Sequence, residues 1–365
     1  MKSLYNKLID YEQCTLTSGI PAFILLAKRV CFDPDGMYLM RYQDVTNALI
    51  RDGYYELPEF FDAGDTRALL DAVMKNRRFD QSIFITEEEW EASSKSHKRT
   101  SPGPGYNALE EVAEKLTFIE KNKELNNFFE HLLGKGYRVL SKRLVCRLPW
   151  SSVPIWLRKR REGKVNNSFG AFVYPPHRTM TYYLDVDLHQ DIQDWVRLPT
   201  DQKEHRCLTF YVYLDDVTVD DAPLQLLPGS HLFGATPFQH DVNYLPESNE
   251  WIYRDLKGNS LTTPMKTLTG KAGYGGIWHS CMLHGTPPVR EGHFRMSLRY
   301  LVAHAPSSAT AAIDEINQHV RGPLYLEKDY TPGSNAGTDG FWNLRLTDYV
   351  QASYQQMGLG DPFSE

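Results

Sequence analysis

The chain has no Cys-x-x-Cys pair, no long apolar run and no excess of basic residues, and each absence removes a class of protein. Its 5 cysteines, Cys14, Cys31, Cys146, Cys207 and Cys281, are scattered and odd in number. That argues against a disulfide framework and against a zinc site built on thiolates; buried, inert thiols in a reducing compartment are the expectation. The apolar stretch from Pro21 to Ala27 is far too short to span a bilayer, and the first residues lack the layout of a signal peptide. A cytoplasmic protein with no membrane partner is therefore expected. A net charge of -6 and a pI near 6.1 remove any global attraction to nucleic acid. There is no internal repeat and no low-complexity segment.

What is present is ordinary soluble-protein composition, 41% hydrophobic and 24% charged over 365 residues, enough to bury a large core. The 12% aromatic content suggests a well-filled interior and an aromatic pocket. Residues 53–61 read as a short aromatic strand ended by a turn, and Asp65 caps a helix that runs to Met74. Thr86 and Glu89 have capping-box spacing for an exposed helix over 86–98. Residues 107–133 carry apolar residues at helical spacing, as one long helix or a broken pair ended by Gly134.

From residue 137 the period changes. Segments 138–148, 169–174, 180–188, 207–214, 224–227, 276–283 and 296–303 are short, rich in β-branched or aromatic residues, and separated by Pro, Gly and Asp turns. Many short strands without intervening helices predict a mainly β protein with flanking helices, its core a sandwich or jelly-roll barrel. The expected layout is a single domain over 1–365. Residues 1–136 form a supporting region, 137–304 the core with an insertion at about 241–269, and 305–365 a lid or brace with a helix at 346–357.

Two stretches stand out within that core. Leu188-His189-Gln190-Asp191 puts His189 and Asp191 two apart, so on an extended strand both side chains reach one small volume. Far downstream, Trp278-His279-Ser280-Cys281-Met282-Leu283-His284-Gly285 offers a third nitrogen, which would complete a facial set of two histidines and one carboxylate with the opposite face open. Arg295 and Ser297 are again two apart, so a guanidinium and a hydroxyl can grip a carboxylate near that metal. With 12 His in the chain, one His-x-Asp arises easily by accident. Order and context give it weight: His-x-Asp leaving a strand, a Pro228-Gly229-Ser230-His231 turn, a His on a late strand, then Arg-x-Ser.

These strings, with Leu214-Asp215-Asp216-Val217-Thr218 and the opening Gly53-Tyr54-Tyr55-Glu56-Leu57-Pro58, resemble the phytanoyl-CoA dioxygenase-like (PhyH) branch of the iron(II)/2-oxoglutarate oxygenases over about residues 45–304. The resemblance implies a double-stranded β-helix with a cupin-like core, Fe(II) held by His189, Asp191 and His284, and 2-oxoglutarate and O2 as co-substrates. It implies Arg295 on the distal carboxylate of 2-oxoglutarate with Ser297 as its partner, and Thr286 and Tyr211 beside the same molecule. It also implies oxidation of an unactivated C–H bond, by hydroxylation, desaturation or cyclisation, with release of succinate and CO2. Halogenating members have a small residue where this chain has Asp191, so the carboxylate argues for an oxygenase. The chain departs from the family in the turn Ala272 to Gly276, which lacks an acidic residue, and after His284, where Thr286-Pro287-Pro288-Val289 replaces a common Asn. Both bear on loop shape and substrate.

Rivals exist for each role. His279 competes with His284, but an odd spacing turns them to opposite sides of one strand, and the distance to Arg295 favours His284. His231 sits in a turn, and Arg299 could face the same side as Arg295. Trp195, Arg197, Tyr182 and Tyr183 are candidates to line a substrate pocket. The substrate expected is a small amino-acid-like or other natural-product molecule, with an acyl-CoA-type substrate as alternative, acted on by a monomer or homodimer. Two other readings remain: a cupin-like binding protein without turnover, and a nucleic-acid demethylase. The second needs a basic groove, for which residues 158–164 are the only candidate and read better as a solvated loop.

Overall fold

Strands whose alternate side chains are apolar must bury one face, and this chain does so by stacking two sheets. A computed structural model describes residues 42–93, 107–161, 169–191, 206–305, 311–326 and 348–356. The strands are β1 (Tyr54–Leu57), β2 (Arg138–Arg147), β3 (Thr181–Tyr183), β4 (Val186–His189), β5 (Cys207–Tyr213), β6 (Leu224–Leu226), β7 (Asp241–Leu245), β8 (Glu250–Arg254), β9 (Ser260–Thr263), β10 (Lys266–Leu268), β11 (Gly275–His279), β12 (His284–Thr286) and β13 (Arg295–Ala303). One sheet runs β1-β11-β5-β13-β2-β3 and the other β10-β6-β12-β4. Pairing is antiparallel throughout except between β2 and β3. Tyr211, Tyr213 and Trp278 of the larger sheet pack with Leu224, Leu226 and Leu268 of the smaller. This is the expected double-stranded β-helix.

The other face of the larger sheet is covered by helices. Met296, Leu298, Tyr300 and Val302 of β13 join one apolar cluster with residues of α1 (Tyr42–Arg51), α2 (Ala63–Met74), α3 (Glu87–Ala92), α4 (Ala108–Glu111), α5 (Thr117–Glu120) and α6 (Lys123–Leu133). Strand alternation then turns Arg295, Ser297 and Arg299 toward the space between the sheets. That division puts the apolar half of β13 in the core and its polar half in the site.

Several local expectations shift. Asp62, not Asp65, caps α2, because its carboxylate accepts from the backbone N–H of Gly64 and of Asp65 itself. The capping box of Thr86 and Glu89 opens α3, which ends at Ala92. The segment 107–133 is broken where Val112 adopts φ -119°, ψ 24°, and Asn122 caps α6 afresh by accepting from Leu125 N–H. Residues 158–161 are not loop but part of α7 (Ile155–Arg161), and Arg160 pairs with Glu91. Residues 169–174 hold a 3-10 turn, with one bridge between Val173 and Phe84. The stretch 276–283 is not one strand: β11 stops at His279, and Met282 N–H closes a turn onto the His279 carbonyl before β12 begins.

Behind β12 and β4 lies a second apolar layer. Residues 241–263 form the meander β7-β8-β9. Trp251 and Tyr253 from it cluster with Leu188, Leu227 and Leu283, and with Tyr349, Val350 and Tyr354 of a helix at Asp348–Gln356. Gly285 permits this approach: a Cβ there would meet the Val186 carbonyl oxygen at 2.7 Å and the Tyr349 ring at 2.9 Å. Tyr349 also donates to Gln225 Oε1 and Tyr354 to Asp185. The other late helix, Ala312–Gln318, packs Ile313 and Ile316 into the main core. Cys146, Cys207 and Cys281 are buried and outside any disulfide. No helix among the described residues is long and apolar enough to cross a membrane.

The rings of His279 and His231 lie 5.6 Å apart, tilted by 56° to one another, in the seam joining β11 to α1. Cys281 N–H donates to His279 Nδ1, so Nε2 carries the proton and donates to Asn317 Oδ1 at 2.8 Å. Burial pushes His279 down to about 4, and burial with the neighbouring His279 pushes His231 down to about 3. Both are therefore neutral in the fold but take up protons once unfolded below about 6.5. Their contribution to stability is complete above that pH and is lost as pH falls toward 4. The urea midpoint should thus drop between pH 7.5 and 5, and His279→Gln should make the drop shallower. Identical pH dependence in the two proteins would contradict this origin.

Candidate metal centre

β4 and β12 are neighbours, and their register sets His189 opposite His284. The chain leaves β4 at His189 and places Asp191 beside both rings. His189 Nε2 lies 3.4 Å from Asp191 Oδ1, and His284 Nε2 lies 3.5 Å from Oδ2. The three side chains are buried, and one ligand atom from each lies within 4.8 Å of the others. Each ring is fixed from behind. His189 Nδ1 is 2.7 Å from the Asp187 carbonyl and His284 Nδ1 is 3.0 Å from the Met282 carbonyl. A carbonyl only accepts, so each Nδ1 carries the proton and each Nε2 lone pair points toward Asp191. Orientation of metal-binding imidazoles by a hydrogen bond at the remote nitrogen is the usual arrangement.

Gln190, between the two ligands, faces the other way and is fully buried. Its amide donates to the carbonyls of Gly234 and Cys281 at 2.9 and 2.8 Å and accepts from Thr236 N–H at 3.1 Å. The exit of β4 is thereby tied to two other loops. Sequence reasoning gave Gln190 no role, although a polar residue turned away from the site on a buried strand is a signal for such an anchor.

Arg299 donates to Asp191 Oδ1 at 2.7 Å, and Thr209 approaches Oδ2 at 3.4 Å. Burial alone would raise the Asp191 carboxyl, but Arg299 and the two imidazoles hold it well below the usual range. Burial, then His284, pushes His189 down. At neutral pH the group is therefore one carboxylate and a neutral His189 imidazole, the protonation that a divalent metal requires.

Further along the same inner face, Arg295 is 1% exposed. It donates to the Ala222 carbonyl and to Tyr211 Oη at 3.1 Å, and it lies over the Tyr213 ring at 5.6 Å. Arg147 is its cross-strand neighbour and lies over the Tyr183 ring at 4.6 Å. Burial and then Arg295 pull Arg147 down to about 10. Arg295 Nε, Arg147 Nε and Nη1, Ser297 Oγ and Thr286 Oγ1 are buried with no partner among the described residues. Unsatisfied buried donors are costly, so these groups, from β13 and β2 of the larger sheet and β12 of the smaller, fit an anionic ligand between the sheets. Two imidazoles and a carboxylate suit a non-haem iron, and the adjoining guanidinium and hydroxyls suit a dicarboxylate. The residues present thus fit both groups.

The remaining candidates separate. Tyr183 faces inward, but Tyr182, adjacent on β3, turns outward into the helix-covered core. It is therefore not brought to the triad, because neighbours on a strand face opposite sides. Trp195 and Arg197 lie outside the described residues. His279 is bound to Asn317 and His231 approaches the Ile50 carbonyl; neither reaches Asp191. The reason differs from a parity argument, since His279 and His284 lie on different strands in different sheets.

No curated protein matches the sequence. Similar solved structures include AviO1 from Streptomyces viridochromogenes Tue57, at 15% identity, covering 75% of this chain and 100% of that one, TM-score 0.41. The epimerase SnoN in complex with Fe3+, alpha ketoglutarate and nogalamycin RO is 16% identical, with 84% and 95% covered and a TM-score of 0.42. EctD from S. alaskensis with 2-oxoglutarate and 5-hydroxyectoine is 16% identical, with 86% and 89% covered and a TM-score of 0.41. The model of the family described as Phytanoyl-CoA dioxygenase (PhyH) matches residues 49–297. With well over half of its 365 residues inside that match, the chain belongs to the phytanoyl-CoA dioxygenase family.

Proposed function

We propose that the protein is a non-haem Fe(II)/2-oxoglutarate-dependent dioxygenase that oxidises an unactivated C–H bond of a small molecule, releasing succinate and CO2. The observation that carries this is the buried His189–Asp191–His284 group, with both Nε2 atoms turned to one carboxylate, together with buried donors on β13, β2 and β12 that have no partner among the described residues. When bound, iron(II) with 2-oxoglutarate supplies the oxidant for that bond from O2. His189, Asp191 and His284 would hold the iron, and Arg295, Ser297, Thr286 and Tyr211 the co-substrate.

The chain's own residues divide the work physically. Arg295 already has Tyr211 and Ala222 to fix its plane, so a carboxylate meets a prearranged fork at little ordering cost. Ser297 and Thr286 add buried hydroxyls that have no partner among the described residues. Trp278, with its ring 5.0 Å from that of His284, helps keep water from the centre. Hydroxylation, desaturation and cyclisation all remain within this reading. The substrate is a small amino-acid-like or other natural-product molecule. Arg143, Arg299 and Tyr183 on the inner face support a polar substrate over a long acyl chain. A reducing cytoplasm suits the buried cysteines Cys146, Cys207 and Cys281, which form no disulfide.

Release of CO2 from 2-oxoglutarate should require added iron(II). Asp191→Ala should abolish succinate formation; normal turnover in that variant would sink the assignment of Asp191. Arg295→Gln should raise the KM for 2-oxoglutarate by roughly a hundredfold, about 3 kcal/mol, as expected for losing one partner of a buried charge pair. An unchanged KM would remove Arg295 from the co-substrate site.

A further inference from the structure

Arg299 and Arg295 are four residues apart on β13 and so share a face, yet they address different groups. The register places Arg299 opposite Tyr211 on β5 and Arg143 on β2, and its guanidinium reaches across to Asp191. Asp191 offers two oxygens that are not equivalent. Oδ1 accepts from the Arg299 guanidinium, Nη1, at 2.7 Å, whereas Oδ2 is approached, among the described residues, by the neutral hydroxyl of Thr209 at 3.4 Å and by His284 Nε2 at 3.5 Å. The Asp191 side chain is 2% exposed and that of Arg299 14%, so water cannot readily replace the guanidinium if it is removed.

Resting on the reading of this group as a metal centre, we propose that Arg299 is a positioning residue that occupies Oδ1 and leaves Oδ2 as the one oxygen Asp191 presents to the metal. A charge-assisted hydrogen bond at 2.7 Å engages Oδ1 strongly enough to compete with coordination. Oδ2 lies 3.5 Å from His284 Nε2 and Oδ1 3.4 Å from His189 Nε2, so the Arg299 hydrogen bond, rather than nearness to a ring, separates the two oxygens, and the presented set consists of Oδ2 and the two imidazole nitrogens. A facial set of three donors leaves the opposite face for a chelating co-substrate and oxygen. A second oxygen from Asp191 would take one of those positions. Lysine would not substitute fully, because a point charge does not hold a carboxylate in one plane as a guanidinium does. Arg143 directly across carries the same charge, so it disfavours swinging Arg299 away from Asp191 toward β2.

The test uses cobalt(II) alone as the probe, with calorimetric titration for the Kd and visible d–d absorption for the coordination, in the wild type, Arg299→Lys and Arg299→Gln. Far-UV circular dichroism establishes that each variant is folded. The expected order is tightest binding in the wild type, a few-fold loss in Arg299→Lys and roughly 10–100-fold loss in Arg299→Gln, in line with removal of hydrogen bonds behind metal ligands elsewhere. The absorption should change in both variants as Asp191 gains freedom to offer its second oxygen. A Kd and spectrum equal to the wild type in either folded variant would overturn the role of Arg299. Failure of the wild type to bind cobalt(II) would instead overturn the metal centre on which the role rests.

Discussion

A carboxylate with 2% of its side chain exposed is stable only if charges and hydrogen bonds close around it. Asp191 is such a group, and its partners come from four separate strands: His189 from β4, His284 from β12, Arg299 from β13 and Thr209 from β5. Those strands belong to both sheets, so the charge of Asp191 is compensated only where the two sheets come together. The remote nitrogens of both rings are committed to backbone carbonyls, which leaves the metal-facing lone pairs nowhere else to point.

Much of the surrounding structure keeps that carboxylate in place. Gln190 ties the strand exit to Gly234, Thr236 and Cys281. Leu188, Leu227 and Leu283 back the smaller sheet against the inserted meander and the helix at Asp348–Gln356. On the larger sheet, the apolar half of β13 is held by the N-terminal helices, which leaves its polar half to face the site. An insertion and a late helix thus bear on the ligand strands from behind, while the first helices bear on the strand that supplies the arginines.

The fold class and the residues that meet at the centre were legible because both follow from a two-residue period. His189 and Asp191 share a side, as do Arg295, Ser297 and Arg299, and the late His284 completes the group. The same rule rejects Tyr182, whose neighbour Tyr183 takes the inward place. What sequence did not yield depends on pairings between distant strands. Nothing local says that Arg299 reaches Asp191, that Arg147 sits opposite Arg295, or that Gln190 reaches two loops. Helix ends were misplaced for a local reason: Asp62 and Asp65 both suit a cap, and only backbone geometry separates them. The turn between His279 and His284 was missed because Ser280 to Leu283 carries no Gly or Pro to mark it.

The account stands on iron and 2-oxoglutarate sharing one buried centre. An anaerobic titration of 2-oxoglutarate into the iron(II)-loaded protein tests that most directly, because chelation of ferrous iron by a keto acid produces a visible charge-transfer absorption. The account predicts a new band that saturates at one 2-oxoglutarate per iron. Iron uptake with no such band, or no iron uptake at all, would contradict it.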